Sequence, residues 1–243
     1  MRELVSALAA QHPEDAWKLY ADRLRDAGTV EGEVPQGAAL HARRVPGVVQ
    51  AAAARLGWGV EARVGGADVV HWTDYVMPPP TRAPLVATIH DVLFETLPDC
   101  YTPSMRRGCR AVTRRIARAA ARIIVPSTRA RDDLMAIYDV PASRIDVVEH
   151  GIRRMPDVPP AHGHGRFVLF AATLEPRKNV LRLLRAWQSL AADARLVLVG
   201  PRGWRDEGIL AELERTPGAT WEGPVGPRRL AALYRGALAL AYP

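Results

Sequence analysis

The run Phe167-Val-Leu-Phe-Ala-Ala-Thr173 is followed by the turn Leu174-Glu-Pro-Arg-Lys-Asn179, and then by Val180-Leu-Arg-Leu-Leu-Arg-Ala-Trp-Gln-Ser-Leu190 and Leu196-Val-Leu-Val-Gly200. The first and last runs are continuously apolar. That predicts strands buried on both faces, because a half-solvated strand would alternate. Between them, Leu181, Leu184 and Trp187 recur at helical spacing, so 179–190 reads as a helix with one apolar side. Two fully buried strands joined through a helix form the unit from which parallel sheets are built.

The same alternation extends in both directions. Downstream, a helix is expected near 209–216, a strand over 220–225, a helix over 227–235 and a strand over 237–242. Upstream, 69–72 and 85–90 read as strands, 103–122 as a long helix, 122–126 as a strand and 145–149 as another. Ser127 is placed to cap a helix over 128–138. The segment 153–165 (RRMPDVPPAHGHG) is rich in proline and glycine without periodicity, and reads as a linker. The expected architecture is therefore α/β, with two doubly wound parallel-sheet domains, 1–152 and 166–243, around the linker 153–165. Ligands in such folds bind beyond the carboxyl ends of the strands.

Composition agrees with a folded chain. Over 243 residues, 48% are hydrophobic and 24% charged, which excludes wholesale disorder and coiled coil. A chain of this size buries about 70% of its unfolded surface, so it needs no disulfide or metal staple. Cys100 and Cys109 make no secreted framework and point to a reducing compartment. No apolar run approaches a membrane span, and the opening MRELVSALAAQH is a poor signal peptide. The net charge is +7 and the pI about 10.0, yet all basic residues except Lys18 and Lys178 are arginine. With so much alanine, this is the bias of a GC-rich coding sequence more than a nucleic-acid signature, and it makes each lysine worth noting.

Several chemistries are missing from the sequence. There is no G-x-G-x-x-G, P-loop, G-x-S-x-G, C-x-x-C, H-E-x-x-H or D-x-D. His162 and His164 read as parts of a solvated loop rather than metal ligands. Neither a metal nor another cofactor is expected.

The constellation that remains is Thr173–Val180. It lies between a buried strand and a helix, where free backbone N–H groups and the helix dipole favour phosphate. Arg177 and Lys178 add two full charges there, enough to neutralise a leaving diphosphate without a metal. On the residues alone, a surface basic pair in the turn leading into the helix stays open. His90, at a strand end, reads equally as a buried, hydrogen-bonded histidine or a site residue, and Asp91 as a cap.

The segment Leu-Glu-Pro-Arg-Lys-Asn at 174–179 resembles the donor-site motif of the retaining GT-B glycosyltransferases of family 4, particularly the mannosyltransferase-like group 1. Thr88-Ile89-His90-Asp91 is similar to the family's T-x-H-D. Val125-Pro126-Ser127-Thr128 with 145–151, Leu196–Gly200, Trp221–Val225 and Leu233-Tyr234-Arg235-Gly236-Ala237 resemble further segments in the same order. The resemblance implies two Rossmann-like domains of GT-B type, the second incomplete. It implies that Arg177 and Lys178 bind the diphosphate of a nucleotide sugar, that Gly200 leaves room for the nucleotide, and that Val225 and Leu230 contact base and ribose. It also implies that His90 lies near the donor sugar and helps orient it or stabilise the transition state. The implied reaction moves a hexosyl unit to a glycan or lipid-linked acceptor with retention.

Two family features lie outside this sequence: an opening strand with its glycine-rich loop, since Met1 falls in a helix read over 2–10, and the glutamate-containing segment beyond Pro243. The expectation is a chain shortened at both ends with impaired transfer, the alternative being a non-catalytic remnant or a module binding nucleotide or a membrane surface. Arg106, Arg110, Arg114, Arg118 and Arg122 recur every four residues opposite Val112, Ile116, Ala119 and Ile123. That face reads as solvated or as a contact with anionic membrane; nucleic acid is not expected, for want of interleaved aromatics. The expected location is the cytoplasm, peripheral at the inner face of the membrane where that helix is used.

Overall fold

Short apolar runs become parallel strands throughout the computed structural model, which describes residues 2–21, 34, 36–42, 59–73, 75–78, 80–152, 154–190 and 193–243. Met1 and Arg153, at the start of the expected first helix and of the linker, lie outside the described residues. The elements begin with α1 (Arg2–Gln11), β1 (Trp17–Ala21), β2 (Ala38–Ala42), α2 (Glu61–Val64), β3 (Val70–Trp72) and β4 (Leu85–Thr88). They continue with α3 (Leu93–Thr96), α4 (Pro103–Ala119), β5 (Arg122–Val125), α5 (Thr128–Tyr138) and β6 (Ile145–Val147). After these come β7 (Phe167–Ala171), α6 (Val180–Gln188), β8 (Arg195–Val199), α7 (Glu207–Glu214), β9 (Ala219–Trp221), α8 (Pro227–Gly236) and β10 (Ala239–Leu240).

The chain divides into two units, one of Met1–Leu93 with Ser104–His150, the other of Phe94–Pro103 with Gly151–Pro243. The excursion 94–103 belongs to the second unit for a physical reason. Trp204 Nε1 donates to Cys100 O at 2.7 Å, Arg205 Nη1 donates to Asp99 O at 2.6 Å, and the Tyr101 and Trp204 rings lie 5.7 Å apart.

In the first unit, β3-β4-β5-β6 form a sheet in that order, all parallel, with Ala87 facing Ile123 and Ile123 facing Ile145. Leu85, Ala87, Ile123 and Val125 are buried, as are Val112 and Ile116 of α4 and Leu134 of α5. Ser127 caps α5, its Oγ accepting from Ala130 N at 3.2 Å. A separate parallel pair, β1 with β2, had no counterpart in the sequence reading. Lys18 of β1 donates to the carbonyls of Gly65 and Gly66 at 3.2 and 2.9 Å, so this lysine holds a loop.

The long helix ends at Ala119, short of the expected 122. Arg122 sits in β5, where Nε meets Asp146 Oδ2 at 2.9 Å and Nη2 meets Oδ1 at 2.5 Å. Residue Ala119 is exposed; the core side of α4 is Val112, Thr113, Ile116 and Ala117. Steps of four residues advance about 40° past a full turn, so the expected arginine stripe winds away from the face on which it starts.

In the second unit, β10-β7-β8-β9 form another all-parallel sheet. Its two faces are sorted by strand alternation. Phe170, Leu196 and Leu198 pack with Leu184, Trp187 and Ile209 from α6 and α7, whereas Phe167, Leu169, Val197 and Val199 pack with Leu233 of α8. Helices therefore cover both faces, as in doubly wound folds. The last strand shrinks to two residues, Ala239 and Leu240. His164 also departs from the solvated loop expected of it: its Nε2 lies 2.8 Å from both Glu222 Oε1 and Arg229 Nη2, and its side chain is only 17% exposed.

One backbone approach ties the strands β7 and β8 together at their carboxyl ends. Gly200 has φ +136, and a Cβ there would stand 2.0 Å from the Ala172 carbonyl oxygen. Gly200→Ala is expected to destabilise the second unit by about 2–5 kcal/mol, combining backbone strain with the clash. Urea unfolding followed by tryptophan fluorescence checks this, and an unchanged midpoint would refute it.

Candidate functional site

Parallel strands place all their carboxyl ends on one edge. In the second unit that edge carries the turns after β7, β8 and β9, and most of the residues singled out from sequence lie there. After β7 the chain makes an isolated bridge, Leu174 with Arg202, then a 3-10 turn Pro176–Lys178, then Asn179 with φ 55 before α6. Asn179 makes no side-chain cap, so the N-terminus of α6 keeps unspent donor capacity for an anion.

Arg177 and Lys178 leave this turn in different company. Arg177 Nε stands 2.5 Å from Oε1 of Glu175, a carboxylate only 1% exposed. The contact is an ion pair by distance, not aligned as a hydrogen bond. The guanidinium carbon also lies 5.9 Å from the centre of the Trp204 ring. Lys178 Nζ lies 4.8 Å from the centre of the Tyr242 ring and donates to its hydroxyl. Tyr242 in turn stacks on Phe170 of β7, centroids 6.2 Å apart and 16° between planes. Both cations are thus oriented by an aromatic ring.

Gly200 belongs to the same edge. Its missing side chain lets the backbone after β8 touch Ala172, and its carbonyl accepts from Trp221 Nε1 at 2.9 Å. Gly203 repeats the device, since a Cβ there would meet Leu174 O at 2.7 Å. Val225 and Leu230 follow β9; both are half-buried and pack against the Phe167–Leu169 side of the sheet.

His90 lies in the first unit, beyond the carboxyl end of β4. It is exposed, not a core histidine, and its ring sits 5.3 Å from that of His150, which follows β6 at the same sheet edge. Partial desolvation, followed by repulsion from His150, lowers its pKa, against the opposing pull of Asp91. Asp91 Oδ1 accepts from Leu93 N at 3.0 Å, which makes it the cap of α3, and Tyr75 donates its hydroxyl proton to the Asp91 carbonyl.

Glu175, Trp204, Tyr242 and His150 escaped the sequence reading. Trp204 and His150 had one available signal: each follows a predicted strand end, the position where this fold places its ligands. For metals, the described residues offer one exposed cluster, His12, Glu14 and Asp15, in which His12 Nδ1 is already 3.3 Å from Glu14 Oε1. Among the described residues no helix is long and apolar enough to cross a membrane.

Comparisons with known proteins converge on one group. The chain is 28% identical over 176 residues to the O-antigen chain mannosyltransferase B of Escherichia coli, a match that takes in 65% of this chain and 46% of that protein. The chain thus spans about half the length of this curated relative. Among solved structures, a glycosyltransferase from Rickettsia africae superposes with a TM-score of 0.63 at 12% identity, covering 99% of this chain and 68% of that one. HepE of Anabaena, solved with UDP and glucose, gives 0.59 at 15% identity, covering 95% and 67%. These likenesses show a GT-B-type α/β fold. The family model for Glycosyltransferase Family 4 matches residues 2–154, and the chain belongs to that family.

Proposed function

We propose that the chain acts in the transfer of a hexosyl unit, mannosyl- or glucosyl-like, from a nucleotide sugar to a hydroxyl of a glycan or lipid-linked acceptor, with retention and without a metal. The observation that carries this reading is the pair Arg177 and Lys178 at the uncapped N-terminus of α6, on the carboxyl edge of a parallel sheet. Three sources of positive potential converge there: a guanidinium, an ammonium and the helix dipole. As the bond from the anomeric carbon to the diphosphate breaks, negative charge grows on the leaving oxygens, and donors fixed in advance stabilise it. The acceptor oxygen forms the new bond, and its proton departs with the diphosphate.

The other site residues take roles that fit their surroundings. Gly200, Val225 and Leu230 line the edge where the base and ribose would lie. His90, with its lowered pKa, is mainly neutral near pH 7, so it orients the donor sugar through hydrogen bonds rather than as a fixed charge. The relatives support the choice of donor and product: one solved structure holds UDP and glucose, and the curated relative is named for mannosyl transfer to O-antigen.

Calorimetry with UDP and GDP tests the phosphate site. The double substitution Arg177→Ala and Lys178→Ala is expected to weaken nucleoside-diphosphate binding by about 10–100-fold, the loss expected for charge-assisted hydrogen bonds. Lys178→Ala alone should account for a clear part of it. Unchanged affinity in the double variant would remove the phosphate site from Arg177 and Lys178.

The histidine pair makes a second prediction. Protonating His90 is disfavoured in the native state relative to the unfolded chain. The fold therefore weakens as pH falls from the unfolded histidine range through His90's own lower one. Imidazole resonances followed by NMR should give His90 a midpoint below the ordinary histidine value, and His150→Gln should raise it by removing the repulsion. A midpoint that ignores the substitution would show that the rings do not interact.

A further inference from the structure

Two stretches of the second unit, far apart in sequence, deliver polar groups to one point. The turn after β7 brings the Lys178 ammonium, and the end of the β10 segment brings the Tyr242 hydroxyl, which accepts a hydrogen bond from it. β10 runs beside β7, Ala239 facing Val168 and Leu240 facing Leu169, and Ala241 N donates to Leu169 O at 2.8 Å. The chain therefore reaches residue 242 at the carboxyl end of the strand that leads into the donor turn. There the Tyr242 ring stacks on Phe170, which is fully buried, with 6.2 Å between centroids and 16° between planes. One face of the ring is thus fixed, while 56% of the residue remains exposed.

The hydrogen-bond capacity of this pair is not used up. A phenol has one proton to donate as well as lone pairs that accept. The ammonium occupies a lone pair, so the hydroxyl proton is directed elsewhere, and it meets no acceptor among the described residues. The choice of a phenol at this place is informative. A carboxylate would hold the lysine equally well but would cancel the charge that an incoming anion needs, and a carbonyl could accept but never donate. A hydroxyl holds the ammonium, leaves its charge intact and carries a proton of its own. A tyrosine serving the fold alone would gain most from being buried, whereas this one presents its polar end outward.

We propose that the Tyr242 hydroxyl binds the diphosphate directly, as a neutral donor beside Lys178 and Arg177. A phosphate oxygen takes the hydroxyl's place on the ammonium, and the hydroxyl then donates its own hydrogen bond to that oxygen; no proton changes hands. This inference rests on the reading of Arg177 and Lys178 as the diphosphate site and adds a binding residue to it. The stacked ring is held before the ligand arrives, so ordering the hydroxyl costs little further entropy. A bond between a neutral donor and a charged oxygen is stronger than one between neutral groups, and it strengthens as negative charge grows on the departing diphosphate. The contact is to phosphate, common to all nucleoside diphosphates, and is therefore independent of the base.

Calorimetry of the chain with UDP and with GDP tests the proposal through Tyr242→Phe, which removes the hydroxyl and keeps the ring on Phe170. Affinity is expected to fall about ten-fold, and by the same factor for both nucleotides. Circular dichroism and the urea midpoint should match those of the unaltered chain. The same substitution made in a Lys178→Ala background separates a direct donor from a residue that only holds the lysine: a direct donor still costs affinity when the lysine is gone. No further loss in that background would overturn the proposal and leave Tyr242 as a support for Lys178. A loss seen with one nucleotide alone would overturn it too, placing the hydroxyl against a base. If the Arg177→Ala, Lys178→Ala double variant loses affinity while Tyr242→Phe binds as the unaltered chain does, this inference fails and the diphosphate site stands. If the unaltered chain binds neither nucleotide, both fall together.

Discussion

The Gly200 backbone can stand against the Ala172 carbonyl only because no Cβ intervenes, and the second unit's candidate site depends on that contact. It keeps the segments leaving β7 and β8 together after the strands end, and Leu174 and Arg202 continue the pairing by one bridge. Gly203 then brings the chain over Thr173–Glu175, which delivers Trp204 to the Arg177 guanidinium. A residue read as making room for a ligand also helps determine where the Arg177 guanidinium stands. Two glycines in the loop 200–206 thus carry the geometry from the sheet to the charge.

The rest of the positioning is aromatic. Trp204 is fixed at its far side by Cys100 and Tyr101, and Tyr101 meets Phe94 edge-on at 6.4 Å. Tyr242 is fixed by stacking on Phe170, itself fully buried in β7. Rings lose few rotatable bonds on ordering, so they hold flexible cations at lower entropic cost than further long side chains would.

Much of the fold was legible because the strands are buried on both faces. Runs such as Phe167–Ala171 and Arg195–Val199 needed only continuous hydrophobicity to be recognised, and Ser127 announced its helix by a single capping oxygen. The β1–β2 pair was not legible. Trp17–Ala21 and Ala38–Ala42 mix polar and small residues and include no fully buried side chain among those described, so no apolar run marks them. The end of α4 was missed because Ala119-Ala120-Ala121 contains no breaker; β5 begins there because Ala121 N bonds Leu85 O at 2.7 Å, a tertiary event. Arg177 and Lys178 stood out by motif and charge. Trp204 and Tyr242 did not, since they reach those cations from 27 and 64 positions further along the chain, and no local pattern encodes that return.

The two cations of that turn, equal in formal charge, differ in what the protein needs from them. Glu175 is a carboxylate with almost no contact with water, and a buried charge is tolerated only with an opposite charge and donors around it. Arg177 therefore serves the fold before any ligand arrives, and a good part of its charge is already answered by Glu175. Lys178 faces a phenol and a ring, neither of which carries negative charge. Its ammonium, together with the uncapped start of α6, is the larger share of unanswered positive potential at the turn. In the proposed phosphate site, a diphosphate would have only to displace the Tyr242 hydroxyl to reach Lys178, whereas at Arg177 it would share the guanidinium with Glu175. On that proposal the electrostatic weight of binding would fall on Lys178, and the directional grip of the planar guanidinium on Arg177.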